Sequence, residues 1–180
     1  MSEPIAGQSP ERRNADGLYG RALLAVSQGF AIAGGLVFVG LVVMSIVSIV
    51  GRKLASSPVP GDVEVLQMCA AFAAASFFAY CHLIGGDVKV DFFTAHARAR
   101  TIHWLDTFGS LLVGLVGALL AWRTFAGAMV VKEAGESSMI LAWPLWIPQM
   151  AMVPGFVLLA LAGLYKMAQH LRAALSEGLA

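Results

Sequence analysis

Residues 58–91 read P-V-P-G-D-V-E, then a charge-free run of Ala, Phe, Met and Leu, then G-G-D-V-K-V-D. Pro58, Pro60 and Gly61 break any helix that precedes them, and Gly85 and Gly86 end the apolar run. Residues 65–86 carry no formal charge. As a helix they rise roughly 33 Å, enough to cross a hydrocarbon core of about 30 Å. The stretch predicts a membrane helix with a polar rim at each end.

Composition points the same way. The 180-residue chain is 58% hydrophobic and 13% charged, with a mean hydropathy of +0.76. Soluble domains carry about 25% charged residues, so this chain is not a water-facing globule. A net charge of +1 argues against nucleic acid as a partner. Cys69 and Cys81 fall on one predicted helix, separated by roughly 18 Å of rise. That is beyond the reach of a disulfide, so both are expected as buried, inert thiols.

Working outward, residues 1–20 form a polar tail, and the long apolar run behind it does not fit a signal peptide. Residues 22–51 are free of charge and would make roughly 45 Å of helix, predicting tilt or extension beyond the membrane. Gly29, Ala33 and Gly40 are candidate sites of close helix approach. Ser45 and Ser48 are expected to bond back to their own helix. Residues 52–64 form a hairpin in which Asp62 is the expected N-cap. Two readings stay open for Glu64: a first-turn acid on the helix dipole, or, with Arg52, a contact to a partner protein. Ala71, Ala75 and Ala79 make a small-residue stripe, while Phe72, Phe77 and Phe78 face lipid or fill gaps.

Beyond the second span, Asp91 is expected to cap a short amphipathic helix lying on the membrane surface, with His96, Arg100 and His103 near one face. The third span is expected at 104–130, with Gly114, Gly117, Ala118 and Ala121 as packing positions. Arg123 sits near its far edge, where it can snorkel beside Trp122. Residues 132–138 form a polar turn. In W-P-L-W-I-P, Trp143 and Trp146 belong to an aromatic belt and Pro144 or Pro148 suits a first helical turn. Pro154 is expected to kink the fourth helix, which ends near residues 166–172.

The expectation is therefore an all-α integral membrane protein with four transmembrane helices at about 22–51, 65–86, 104–130 and 144–170. They form one membrane domain over 21–172, with a C-terminal tail at 173–180. Arg12, Arg13, Arg21, Lys89, Arg98, Arg100, Lys166 and Arg172 fall on one side. Arg52, Lys53, Arg123 and Lys132 fall on the other, so both termini are expected to be cytoplasmic. No nucleophile–base pair, Walker loop, dinucleotide fingerprint or zinc spacing appears, so no catalysis, metal or cofactor is expected. His82, His96 and His103 cluster at the cytoplasmic rim and are expected as solvated interfacial residues rather than haem ligands.

Several of these residues together resemble a known family. They are Arg52 after the first span, P-G-D-V-E at 60–64, G-G-D-V-K-V-D at 85–91, and W-P-L-W-I-P at 143–148 with Pro154-Gly155 behind it. In order and spacing the chain resembles, over about residues 20–172, the small membrane subunit of tripartite ATP-independent periplasmic (TRAP) transporters, the DctQ-like family. Asp87 stands where that family usually has histidine, and Gly61-Asp62 where it has an aromatic and an acid.

The resemblance implies a non-catalytic inner-membrane protein of bacteria. It would form a stable heterodimer with a large TRAP membrane subunit, meet a periplasmic solute-binding protein transiently, and be bathed in membrane lipids. The system would take up an organic acid by sodium symport. Candidate interface or rim residues are Arg52, Pro60, Glu64, Gly86, Asp91, Arg123, Trp143, Pro144 and Trp146. Two rival expectations are a haem-binding anchor of a respiratory complex and a small homo-oligomeric exporter.

Overall fold

The computed structural model describes residues 18–55, 59–87 and 99–176. Among them are four helices: α1 (Leu18–Ala55), α2 (Asp62–Leu83), α3 (Ala99–Ala134) and α4 (Trp146–Ser176). All four are long and apolar enough to cross a membrane. α1 has 38 residues, or roughly 57 Å, so it outruns the bilayer core. α4 continues past Arg172 to Ser176, beyond the expected end, because its last turns remain rich in Ala and Leu. The expected surface helix falls mostly within 88–98, outside the described residues. Residues 99–104 are continuous with α3.

The helices stand in a single row. α1 packs on α2, α2 on α4, and α4 on α3. α1 also touches α4 at one end. α2 and α3 make no close backbone approach among the described residues, and Ala75 and Ala121 share a buried cluster with Phe156 of α4. The connections explain this order. The short turn at 59–61 forces α2 to lie against α1, while the compact turn at 135–145 does the same for α3 and α4.

Side chains are distributed inside out relative to a soluble protein. Large aliphatics such as Leu36, Val39, Ile49 and Leu119 are more than half exposed, while Ala73, Ala128 and Ala162 are fully buried. The largest fully buried side chains are serines: Ser27, Ser48 and Ser76. In water that arrangement would leave a very large apolar surface uncovered. In lipid it is expected, because helices there associate by close backbone approach rather than by apolar burial.

Glycine contacts hold all three interfaces of the row. A Cβ on Gly34 of α1 would come within 2.6 Å of the Ser76 Cβ on α2. One on Gly155 of α4 would lie 2.7 Å from the Ala75 carbonyl oxygen. One on Gly117 of α3 would lie 2.8 Å from the Ala160 nitrogen, and Gly163 of α4 abuts the Gly114 backbone. Gly114, Gly117 and Ala121 thus pack as expected, whereas Ala118 is exposed. On α1 the glycine packed closely on α2 is Gly34; Gly29 and Gly40 have nothing within 4 Å of an added Cβ. α1 is apolar on every side, so spacing alone does not distinguish its packing face. Cys69 and Cys81 are free and half-buried rather than buried.

Candidate functional site

The polar residues gather at the two ends of the row. At the first rim, the turn before α2 is built around Gly61, whose φ of 73° lies in the left-handed region. Gly61 is the N-cap, with no side-chain capping bond. A Cβ there would meet Leu141 Cγ at 2.6 Å. An aromatic residue therefore has neither the backbone conformation nor the space at this position.

Asp62, expected as the cap, is instead the first residue of α2. Its Oδ2 accepts from Ser48 Oγ at 2.5 Å and from Arg52 Nη2 at 3.3 Å, and its Oδ1 from the Val63 N–H at 2.8 Å. Ser48 and Arg52 lie one turn apart on α1, so one carboxylate ties the end of α1 to the start of α2. The back-bond expected of Ser48 is made by Ser76 instead, to the Phe72 carbonyl at 2.9 Å.

Glu64 points into the loop between α3 and α4. Its carboxylate accepts from the Ser138 hydroxyl, from the Ile140 N–H at 3.0 Å and from the Leu141 N–H at 3.2 Å. The loop is itself folded. Ser138 N–H donates to the Trp143 carbonyl at 2.8 Å, Ala142 N–H to Ser138 at 3.1 Å, and Leu145 N–H to Glu136 at 3.2 Å. Ser137 and Pro144 form an antiparallel bridge. The Ile140 and Leu141 N–H groups would otherwise lack backbone partners within the turn, and Glu64 supplies them. Lys132 Nζ sits 5.0 Å from the centre of the Trp146 ring, joining the end of α3 to the start of α4.

Beside this rim lies an open groove of about 530 Å³, lined by Val37 of α1, Val65 and Phe72 of α2, Trp143 of the loop, and Ile147 and Ala151 of α4.

At the second rim, the buried His82 holds Asp87 through Nδ1 at 2.5 Å. Between them, Gly86 N–H donates to the Cys81 carbonyl at 2.9 Å and closes the helix end. On α3 and α4, the His103 and His170 rings lie 6.3 Å apart, and His170 Nδ1 is 4.0 Å from Asp106. Lys166 is buried in the same part of α4.

Of the candidate residues, Arg52, Pro60, Glu64, Trp143, Pro144 and Trp146 share the first rim. Gly86 is at the second, Arg123 is exposed on α3, and Asp91 lies outside the described residues. Sequence reasoning missed Ser138, which offers no local signal. It also misassigned Ser48, although its spacing of one turn from Arg52, opposite an acid across a hairpin, is a usable signal. Among the described residues, no group of three or more His, Cys, Asp or Glu is placed to hold a metal.

Four apolar helices in a row, with small residues between them and polar clusters at both ends, define a multi-pass membrane protein. The family model for the DctQ component of the tripartite ATP-independent periplasmic transporters matches residues 41–173. The chain belongs to that family, and is accordingly a small permease component of a TRAP transporter. No curated protein and no solved structure shows a significant match. Membership in a transporter-component family favours the transport expectation over a haem anchor.

Proposed function

We propose that the chain is a non-catalytic scaffold, a stable partner of the large membrane subunit in sodium-coupled uptake of an organic acid. A periplasmic binding protein would deliver the acid. The chain would sit in the bacterial inner membrane with both termini cytoplasmic. The observation that carries this reading is the single row of helices: with α4 between α2 and α3, the described helices do not close around an interior. A carrier needs an enclosed site at membrane depth with charges or broken helices to meet an anion. Here the buried interfaces are rich in Ala, Gly and Ser with a few Leu and Phe, and the charged clusters sit toward the rims. Such an open arrangement instead presents broad faces on which another membrane protein can rest.

Co-expression of the tagged chain with its large subunit tests the reading. The two are expected to purify as a one-to-one complex in mild detergent. Recovery of the chain as a homo-oligomer that transports unaided in liposomes would overturn it.

A further inference from the structure

The loop between α3 and α4 does not stand away from the bundle. Its two sides are joined near the base by the Ser137–Pro144 bridge and by the Leu145 N–H on the Glu136 carbonyl. Its tip reaches across to the start of α2. There Glu64 accepts from the Ile140 and Leu141 N–H groups. The Leu141 side chain lies against Gly61, where an added Cβ would come within 2.6 Å of its Cγ. Ala142 is held in the left-handed region, at a φ of 53°, with its N–H on the Ser138 carbonyl.

The depth of the tip follows from these anchors. α2 has 22 residues, a rise of roughly 33 Å, which barely exceeds a hydrocarbon core of about 30 Å. Its first turn therefore lies at the core boundary. α1 gives the same level: Arg52 and Lys53 are its first charges beyond the uncharged stretch 22–51, and Arg52 meets Asp62 at 3.3 Å. A loop bonded to Glu64 shares that level. Its exposed side chains are apolar. Met139 is 98% exposed, and Ile140 and Trp143 are more than half exposed. No formal charge occurs between Glu136 and Lys166. Trp143 borders the same apolar surface as Val65, Phe72 and Val37, which lie on the core side of Glu64.

We infer that Met139 and Ile140 dip into the lipid interface, which makes this loop a membrane-surface anchor for the start of α4. The backbone supplies a second, independent ground. The N–H groups of Ser138, Ile140, Leu141 and Ala142 all have protein partners. A loop in open water has no need of that, whereas one at the core boundary, where water is scarce, must satisfy its backbone internally. Apolar side chains at that level are stabilised by leaving water for the acyl boundary, and tryptophan favours the same depth. The inference rests on the membrane-spanning fold, and not on the partnership with a large subunit or on the side where the termini lie.

The test uses the full chain with Cys69→Ala and Cys81→Ala, reconstituted in phosphatidylcholine nanodiscs. An NBD fluorophore is attached to Met139→Cys and, separately, to Ile140→Cys; both side chains are exposed, so neither change disturbs packing. The quenchers are phosphatidylcholine with doxyl high on its acyl chain, the same lipid with doxyl near the methyl end, and aqueous iodide. At both positions the high doxyl is expected to quench several-fold more than the deep one, and iodide several-fold less than for NBD-cysteine free in buffer. Leu115→Cys, exposed midway along α3, is expected to show the opposite doxyl order and sets the deep reference. The inference is overturned if the high doxyl fails to quench either label, or if iodide reaches them as freely as the free dye. It is also overturned if lipid quenching disappears in the complex with the large subunit, which would give the tip to that protein.

Discussion

The Glu64 carboxylate and the Ser138 hydroxyl are hydrogen-bonded across 74 positions of sequence. With the Ile140 and Leu141 N–H groups on the same carboxylate, this makes Glu64 the organising group of the third loop. Its neighbour Asp62 ties α1 in the same way, so two acids at the start of the shortest helix hold the ends of three helices together.

Glu64→Ala should therefore loosen the loop without dismantling the bundle. Hydrogen exchange at Ile140 and Leu141 is expected to accelerate strongly, with α1–α4 amides little changed. Glu64→Gln, which keeps one acceptor oxygen, should give an intermediate effect. Unchanged exchange at both amides in Glu64→Ala would remove the loop-anchoring role.

The helix interfaces make a contrast between glycines. Gly163→Ala places a methyl against the Gly114 backbone, which cannot withdraw as a flexible side chain would. Overpacking of this kind costs about 1–3 kcal/mol. Gly29→Ala and Gly40→Ala meet nothing within 4 Å and should be neutral, or stabilising by up to about 1 kcal/mol through helix propensity. Thermal unfolding in detergent checks the sign of all three, and equal effects would refute the packing assignment.

How much of this was legible depends on how local each signal is. The spans could be read because hydrophobicity over about twenty residues is a property of the segment itself. The Gly114–Gly117 face was legible because both residues recur at helical spacing. Gly34 was not, since α1 is apolar all round and offers equivalent glycines on other faces. Arg52 and Glu64 were recognised as rim residues, but their partners were not. Arg52 binds Asp62, which local capping rules place elsewhere, and Glu64 binds a loop that only the α2–α4 packing brings near.

At the second rim, Asp87 stands where the resembled family has histidine, and here it meets His82. Asp87→Ala would leave both ring nitrogens of a buried histidine unpartnered among the described residues. An unsatisfied buried polar group costs about 1–3 kcal/mol. Adding His82→Leu removes the polar ring and should recover most of the loss. A double variant no more stable than Asp87→Ala alone would show that the pair contributes nothing specific.

The orientation proposed from the basic residues is open to reporter fusions. A periplasm-active reporter is expected to work when fused near Ser57 or Gly135. It should be silent near Ala97 or Ala180. The reverse pattern would place the Glu64 rim in the cytoplasm and invert the arrangement.

The scaffold reading makes its strongest demand on ligand binding. An anionic substrate held at membrane depth needs basic side chains or the N-terminal ends of broken helices to offset its desolvation. α2 carries no Lys or Arg, and on α1 they occur only near the ends, at Arg21, Arg52 and Lys53. Arg123 is exposed on α3, on the outer member of the row, and Lys166, though buried, lies toward the second rim, one turn from His170. Pro154 lies inside α4, which runs on through it unbroken, and its neighbours Val153, Gly155 and Phe156 present no polar side chain. Calorimetry on the isolated chain is therefore expected to register no binding of the organic acid that the complete system transports. Deleting the chain should still abolish uptake by cells that retain the large subunit, because that subunit loses its support. Specific micromolar binding by the isolated chain would contradict the scaffold role, and undiminished uptake without it would show that the large subunit stands alone.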